Sequence, residues 1–352
     1  MQKIVINGDY LAFNTFAGVS RFATEILAEL DLMVKDLEVE LLTPEYVESL
    51  PKFKNIKIVK FGQQPILKWK NTALPQYVKK QEALLVDLTQ AFPFGVKGIT
   101  CVHDCIPELV STAYSGVFGK LVKKPLKLIQ RRTVIKNSAA VITVSEFSKK
   151  DIARLYHVNP EKITVVGNAW QHIEKTTYDD TIINKYNLET KKFYFSLGSR
   201  VEHKNLKWIV SAALQNPESV FVVSGENSYS KGFDESQFPK NIMFTGYISD
   251  GEIRSLMANC KAFILPSIYE GFGIPPMEAL AENAQIIVSN TSCLPEIYSK
   301  SAHYIDPYQL ENIDLDKILA EHVEEPEAVL NKYSWRKSAK TLYSLICRCM
   351  RL

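Results

Sequence analysis

Short β-branched runs alternating with longer amphipathic stretches predict an α/β protein built on mostly parallel sheets. The alternation restarts after a polar stretch at 171–190, which reads as the inter-domain linker and the start of a second domain and so predicts two doubly wound domains. The length agrees. A chain of 352 residues, 46% of them hydrophobic, is too long for one small core and too apolar for disorder.

Residues 3–7 read as the first strand and 20–32 as the helix after it, with Phe22, Ile26, Leu27 and Leu30 on one face. Strands follow at 39–42, 56–59, 84–88 and 99–102. Residues 134–138 lead into a buried-type strand at 140–144. Ser145 then reads as the N-cap of a helix through Tyr156, with Ser148 a second acceptor for free N–H groups. A strand at 163–166 closes the half.

The second cycle has strands at 193–197, 220–224, 242–245, 262–265, 286–288 and 303–305, with helices at 205–214, 251–259 and near 276–282. The boundaries expected are 1–170, 171–334 and a last helix at 335–352 that crosses back to brace the first domain. Facing domains of this kind place the carboxyl ends of both sheets on a shared cleft, where such sheets bind ligands.

The formal charge of +3 does not suggest a nucleic-acid coat, but its distribution is uneven. Residues 49–150 hold 18 Lys+Arg against 5 Asp+Glu. Lys68-Trp69-Lys70, Lys79-Lys80 and the stretch from Lys120 to Arg132 interleave cations with apolar and aromatic residues, as contact with an anionic membrane requires. A solvated lysine-rich face is the other reading. Six irregularly spaced cysteines fit a reducing cytosol, and no signal segment or membrane-spanning run is expected. Neither cysteine pair, Cys101/Cys105 or Cys347/Cys349, has a second pair at zinc spacing.

The densest signal is the run from Pro266 to Leu280, PSIYEGFGIPPMEAL. A strand ends in a turn with two glycines, and Pro275-Pro276 suits the first turn of a helix. Free N–H groups of such a loop and helix terminus form a cradle for a diphosphate. Glu270 and Glu278 bracket it and can reach different parts of one extended ligand, such as a sugar ring and a ribose.

The E-x7-E spacing of Glu270 and Glu278 resembles the signature of retaining GT-B glycosyltransferases of family four, and within the N-terminal match INGDYLAFNTFAGVSRFATEIL the pattern NG-x9-G-V-x-R-F resembles its mannosyltransferase-like bacterial members. VHDCIP at 102–107, VITVSEFSKKDI at 141–152, VVGNAW at 165–170, LGSRVEHKNL at 197–206, FTGYISDGEI at 244–253 and VSNTSCLPEI at 288–297 extend the likeness over nearly the whole chain. The resemblance implies the GT-B fold, two Rossmann-like domains facing a cleft.

It also implies roles. Glu270 sits beside the donor sugar, Gly271, Phe272, Gly273 and Ile274 bind its hydroxyls and phosphates, and Glu278 bonds the ribose. Lys204 falls on the lysine that meets the diphosphate. Relatives often carry arginine where this chain has Ser199 or His203, so Arg200 either reaches the phosphates from a shifted place or lies on the surface. His103 of the His103-Asp104 pair faces the reaction centre. Gly246 and Tyr247 touch the nucleobase. Gly18, in the loop 14–20, brings backbone to the donor phosphate or acceptor, or is an ordinary helix-entry glycine. Ser145-Glu146 caps a helix or lines the cleft.

The activity implied is transfer of a sugar, with retention, from a nucleotide-diphosphate sugar to a saccharide acceptor, expected to be lipid-linked, in capsule, O-antigen or similar surface-polysaccharide assembly. No cofactor and no metal are implied, and the chain is placed in the cytoplasm or at the inner face of the cell membrane. Asp314-Leu315-Asp316 has the D-x-D form of metal-dependent transferases but lies far from the glycine loop in sequence. Ala281-Glu282-Asn283-Ala284-Gln285 replaces a Gly- and Pro-containing helix exit of relatives, and Asn283 is expected to take the glycine's left-handed place. A nucleotide-sugar epimerase of the same fold, which needs no acceptor, and an inactive GT-B binding subunit are the alternatives. A dehydrogenase is disfavoured because no G-x-G-x-x-G follows the first strand.

Overall fold

The computed structural model describes residues 3–13, 18–110, 124–198, 202–225 and 238–350. The chain forms two compact units, one of residues 1–168 with 335–352 and one of 169–334. Each is organised by a single parallel sheet.

In the first unit the strands are β1 (Ile4–Asn7), β2 (Val39–Thr43), β3 (Lys57–Lys60), β4 (Leu84–Asp87), β5 (Gly98–Cys101), β6 (Ala140–Thr143) and β7 (Ile163–Val165), in the order β3-β2-β1-β4-β5-β6-β7. In the second they are β8 (Phe193–Leu197), β9 (Val220–Ser224), β10 (Ile242–Gly246), β11 (Ala262–Leu265), β12 (Gln285–Ser289) and β13 (His303–Ile305), in the order β10-β9-β8-β11-β12-β13. Every pairing is parallel. Parallel strands covered on both faces are continuously apolar. IVIN, LLVD and AFIL are accordingly buried throughout, while the edge strand KIVK exposes both lysines.

Helices cover the faces through apolar stripes and end at the expected caps. Ser145 accepts from the Ser148 N–H at 3.1 Å and starts the helix Glu146–Tyr156. Ser249 and Glu252 form a reciprocal capping box before the helix Asp250–Asn259. Asn283 has φ 59°, the left-handed conformation that ends the helix Ile274–Ala281 without a glycine. The helix Trp335–Met350 belongs to the first unit and packs on the helix Gly18–Asp31, with the Trp335 and Phe22 rings 6.3 Å apart.

Residues 134–137 end a helix, Lys124–Asn137, that the sequence pattern does not announce because only Val134 and Ile135 are buried among many cations. Two sequence expectations change. The polar stretch after 170 is no open linker. Trp170 Nε1 donates to the Leu330 carbonyl and Gln171 Nε2 to the Tyr333 carbonyl, each at 3.0 Å. Trp69 is not a surface aromatic among lysines, since its ring is fully buried with Leu74 and Val78 and its N–H donates to the Phe61 carbonyl at 2.6 Å. Neighbouring Lys70 turns to Asp9, 3.2 Å away. Lys120 and Lys123 lie outside the described residues. Among those described, no helix is long and apolar enough to cross a membrane.

Trp69→Ala should therefore act as a core deletion, costing about 3–5 kcal/mol and lowering the thermal midpoint of the first unit. A midpoint within error of the parent by calorimetry would contradict its buried placement.

Candidate functional site

In the second sheet β8 and β11 are neighbours, but the chain runs outward from β8 through β9 and β10 on one side and from β11 through β12 and β13 on the other. Loops leaving the carboxyl ends of such a pair diverge and open a crevice suited to ligands. The two densest sequence motifs lie on these two loops. Lys204 ends the short turn Glu202–Lys204 after β8, and Glu270 lies on residues 266–273 after β11. Lys204 Nζ is 2.7 Å from Glu270 Oε1, with 19% and 9% of the side chains exposed.

Withdrawing both ions this far from water costs much of what their attraction returns, so the pair is poor at stabilising the fold. Its chemical capacity is different. A cation held by one carboxylate oxygen exchanges partners readily when a more highly charged anion enters.

The loops are tied together by polar contacts. The Ile268 N–H donates to the His203 carbonyl at 2.8 Å. Asn205, itself left-handed at φ 61°, donates its amide to the carbonyls of Pro266 and Pro307 at 3.0 and 2.8 Å. Ser292 Oγ accepts from the Glu270 N–H at 3.1 Å, and Thr291 Oγ1 donates to the carbonyls of Ser267 and Ile268. The ends of β8, β11, β12 and β13 are thereby joined. Burial holds His203 neutral to lower pH than an ordinary histidine, against the raising effect of Glu270.

Gly273 is the N-cap of the helix Ile274–Ala281 at φ 82°, and a Cβ there would lie 2.8 Å from Leu294 Cδ2. Its carbonyl accepts from the buried Tyr298 hydroxyl. Gly271 and Phe272 precede it, with the Phe272 ring edge-on to Tyr333 at 5.2 Å, and Ile274 opens the helix. The helix places Glu278 one turn in, 8% exposed, with Oε1 2.5 Å from Nε2 of His172.

Gly246 ends β10 at φ 71°, followed by the 71% exposed Tyr247. Gly198 and Gly225 follow β8 and β9 with φ 72° and 136°. The Gly225 N–H donates to the Gly246 carbonyl at 2.9 Å, and a Cβ on Gly225 would lie 3.2 Å from Gly198 Cα. Three adjacent strands thus end in glycine and leave bare backbone at their carboxyl ends.

Lys204 and Glu270 meet, residues 271–274 lead directly from Glu270 into the helix Ile274–Ala281, and Glu278 and Gly246 lie on the same unit. Arg200 lies outside the described residues. Asn205, Ser292, Gly198, Gly225 and His172 were missed. The glycines carried a readable signal, because FSLG, VVSG and MFTG repeat one pattern of strand followed by glycine. Asp314 accepts from the Lys317 N–H as a helix cap, while exposed Asp316 pairs with Lys261, so this D-x-D is a helix start.

In the first unit His103 lies two residues past β5 and is 6% exposed. Its Nε2 is 2.8 Å from the Leu88 carbonyl, and the ring meets Phe22 edge-on at 4.9 Å. Bonding to a carbonyl places the proton on Nε2. Nδ1 is then an acceptor, and it has no partner among the described residues. Burial holds the imidazole below its ordinary pKa of 6.5, outweighing the Leu88 contact. Gly18 is exposed at the start of its helix, and residues 14–17 lie outside the described residues. Glu146 opens the helix capped by Ser145.

The sequence matches the family Glycosyltransferase Family 4 over residues 16–170 and the family Glycosyl transferases group 1 over 179–333. It is 28% identical to the O-antigen chain mannosyltransferase RfbU of Salmonella typhimurium over 228 residues, covering 61% of this chain and 62% of that one. It is 26% identical to the serotype-specific mannosyltransferase WbdA of Escherichia coli over 274 residues, covering 69% of this chain and 32% of that one. The matched region thus spans less than two thirds of these relatives. Among solved structures, sucrose-phosphate synthase from Thermosynechococcus elongatus superposes with a TM-score of 0.69 at 15% identity, covering 100% of this chain and 97% of that one. Anabaena HepE in complex with UDP and glucose gives 0.69 at 14%, covering 99% and 100%. The fold is that of GT-B glycosyltransferases.

Folded His103 binds protons less readily than the unfolded chain does. Its contribution to stability is complete above pH 6.5 and is lost as the pH falls from there toward its depressed folded pKa. His203 and His303 are shifted the same way. Thermal melts from pH 7.5 to 5.5 should show a falling midpoint, with a shallower fall in His103→Gln. Equal slopes in the two proteins would contradict a buried neutral imidazole.

Proposed function

We propose that this chain, which matches Glycosyltransferase Family 4 in its first half and Glycosyl transferases group 1 in its second, moves a hexose or deoxyhexose from a nucleoside-diphosphate sugar to a saccharide acceptor in surface-polysaccharide assembly. The observation that carries this reading is the Lys204–Glu270 contact across the diverging loops of β8 and β11, beside the glycine turn that opens the helix Ile274–Ala281. The relatives named as O-antigen mannosyltransferases support a hexose as the transferred group.

The second unit takes the donor. Its diphosphate draws Lys204 from Glu270, while N–H groups of 271–274 at the helix start face the same charge. Freed on one oxygen, Glu270 supports the sugar ring. Glu278 accepts from the ribose, Arg200 adds a second cation, and the glycine-ended strands with Tyr247 receive the base. The first unit takes the acceptor, with His103 Nδ1 accepting a sugar hydroxyl and the backbone at Gly18 approaching the phosphate or acceptor.

Transfer proceeds with retention by attack on the face the leaving group departs from. The acceptor oxygen bonds to the anomeric carbon, the bond from that carbon to the phosphate oxygen breaks with its electron pair, and the departing phosphate takes the acceptor proton. Glu270 stabilises this charge separation without forming a bond, unlike the nucleophile of a retaining glycosidase. Lys204 and the helix N-terminus carry the leaving-group charge, so no metal is required. Glu270→Ala and Lys204→Ala should each lower turnover at least about tenfold, or about 1.4 kcal/mol of barrier, and saturating EDTA should not. Unchanged rates in both variants would end the assignment.

The acceptor is lipid-linked, and the protein works in the cytoplasm at the membrane surface. Its six cysteines are free, as a reducing compartment keeps them. The helix Lys124–Asn137 exposes Leu126 and Ile129, each 61%, beside exposed Lys127, Arg132 and Lys136. Each such cation adds about 1 kcal/mol near an anionic leaflet. Vesicles containing phosphatidylglycerol should sediment the protein at low salt, and Leu126→Ser with Ile129→Ser should weaken this several-fold. Equal sedimentation with neutral vesicles would contradict the contact.

A further inference from the structure

His172 belongs to none of the motifs that direct attention to the donor. It lies in the first turn of chain after the crossing into the second unit, in a segment with no apolar periodicity. Its side chain is nevertheless only 2% exposed and aimed at the one carboxylate on the helix after the glycine turn.

The segment is held on both sides. Trp170 and Gln171 donate to the carbonyls of Leu330 and Tyr333, and the His172 carbonyl accepts from the Lys175 N–H at 3.2 Å and Thr176 Oγ1 at 3.3 Å. With its backbone fixed, the imidazole offers Nε2 in one place. An ionised carboxylate only accepts, so the ring proton on this side is on Nε2 and is donated to Glu278 Oε1 at 2.5 Å.

A glutamate has three side-chain torsions to fix before it can recognise anything. Its neighbours along the helix offer little help, because Met277, Ala279 and Leu280 are apolar. Glu278 Oε2 accepts no hydrogen bond among the described residues. One oxygen is therefore held by the protein while the other remains open, and an oxygen with two lone pairs can accept from neighbouring hydroxyls.

We infer that His172 is a positioning residue for nucleotide recognition: it fixes the Glu278 carboxylate through Oε1 so that Oε2 is presented to the ribose diol of a nucleoside-diphosphate sugar. The inference rests on the proposed donor reading of Glu278 and adds to it a residue and a preference. A carboxylate oriented in advance rewards a ribose and is left unpaired by a sugar without the diol, so ribonucleotides bind better than dideoxynucleotides.

The test uses the whole chain and titrates UDP, GDP and ADP, each beside its 2′,3′-dideoxy counterpart. The parent should prefer the ribonucleotide. His172→Ala should weaken the ribonucleotide about tenfold and leave the dideoxy form nearly unchanged, raising the donor KM with little change in kcat. His172→Gln, which keeps a donor, should restore part of the preference. His172→Phe, which fills the volume without a donor, should behave as the alanine variant and serves in its place where that one does not fold. Equal weakening of both ligands, or a preference untouched in His172→Phe, overturns the inference. Glu278→Ala keeps the two claims apart. If it abolishes the preference while His172→Phe retains it, only the histidine's part fails. If the parent shows no preference, or binds none of the three nucleotides, the ribose reading fails and this inference with it.

Discussion

Lys204 and Glu270 meet because two neighbouring parallel strands send their following loops in opposite directions. Elsewhere in the sheet a loop leaving one strand folds back over its neighbour. The connections after β8 and β11 lead to opposite halves of the sheet, an arrangement that opens a crevice at the carboxyl ends of the two strands. The ion pair lines it. It is a poor way to stabilise a fold, because withdrawing both ions from water costs much of what their attraction returns.

That contact depends on backbone geometry supplied by a few residues. Asn205 ties two carbonyls from different loops, Ser292 holds the Glu270 N–H, and left-handed Gly273 turns the chain into the helix that carries Glu278. Gly198 and Gly225 after β8 and β9, with Gly246 at the end of β10, keep side chains off the same edge. These contacts hold the loop backbone around the ion pair in one geometry.

Most strands were legible in the sequence because a strand covered on both faces is written as an uninterrupted apolar run, as in LLVD and AFIL. The glycine turn with Glu270 and Glu278 was legible in the run PSIYEGFGIPPMEAL itself, while Lys204 was legible through the family resemblance. The helix Lys124–Asn137 was not, since so little of it is buried that its period vanishes among lysines and arginines. Trp69 misled for the opposite reason, because flanking lysines look the same whether the ring between them points outward or into the core. His172 and Ser292 were invisible because their partners lie 106 and 22 residues away, and nothing local in QHI or TSC announces a bond.

The most direct test of the account is a crystal structure of the chain with a bound nucleoside diphosphate. The phosphate oxygens should lie within hydrogen-bond distance of Lys204 Nζ and of backbone N–H groups between Gly271 and Ile274, with the Lys204–Glu270 contact opened. A diphosphate bound at another edge of the second sheet, with that contact intact, would contradict it.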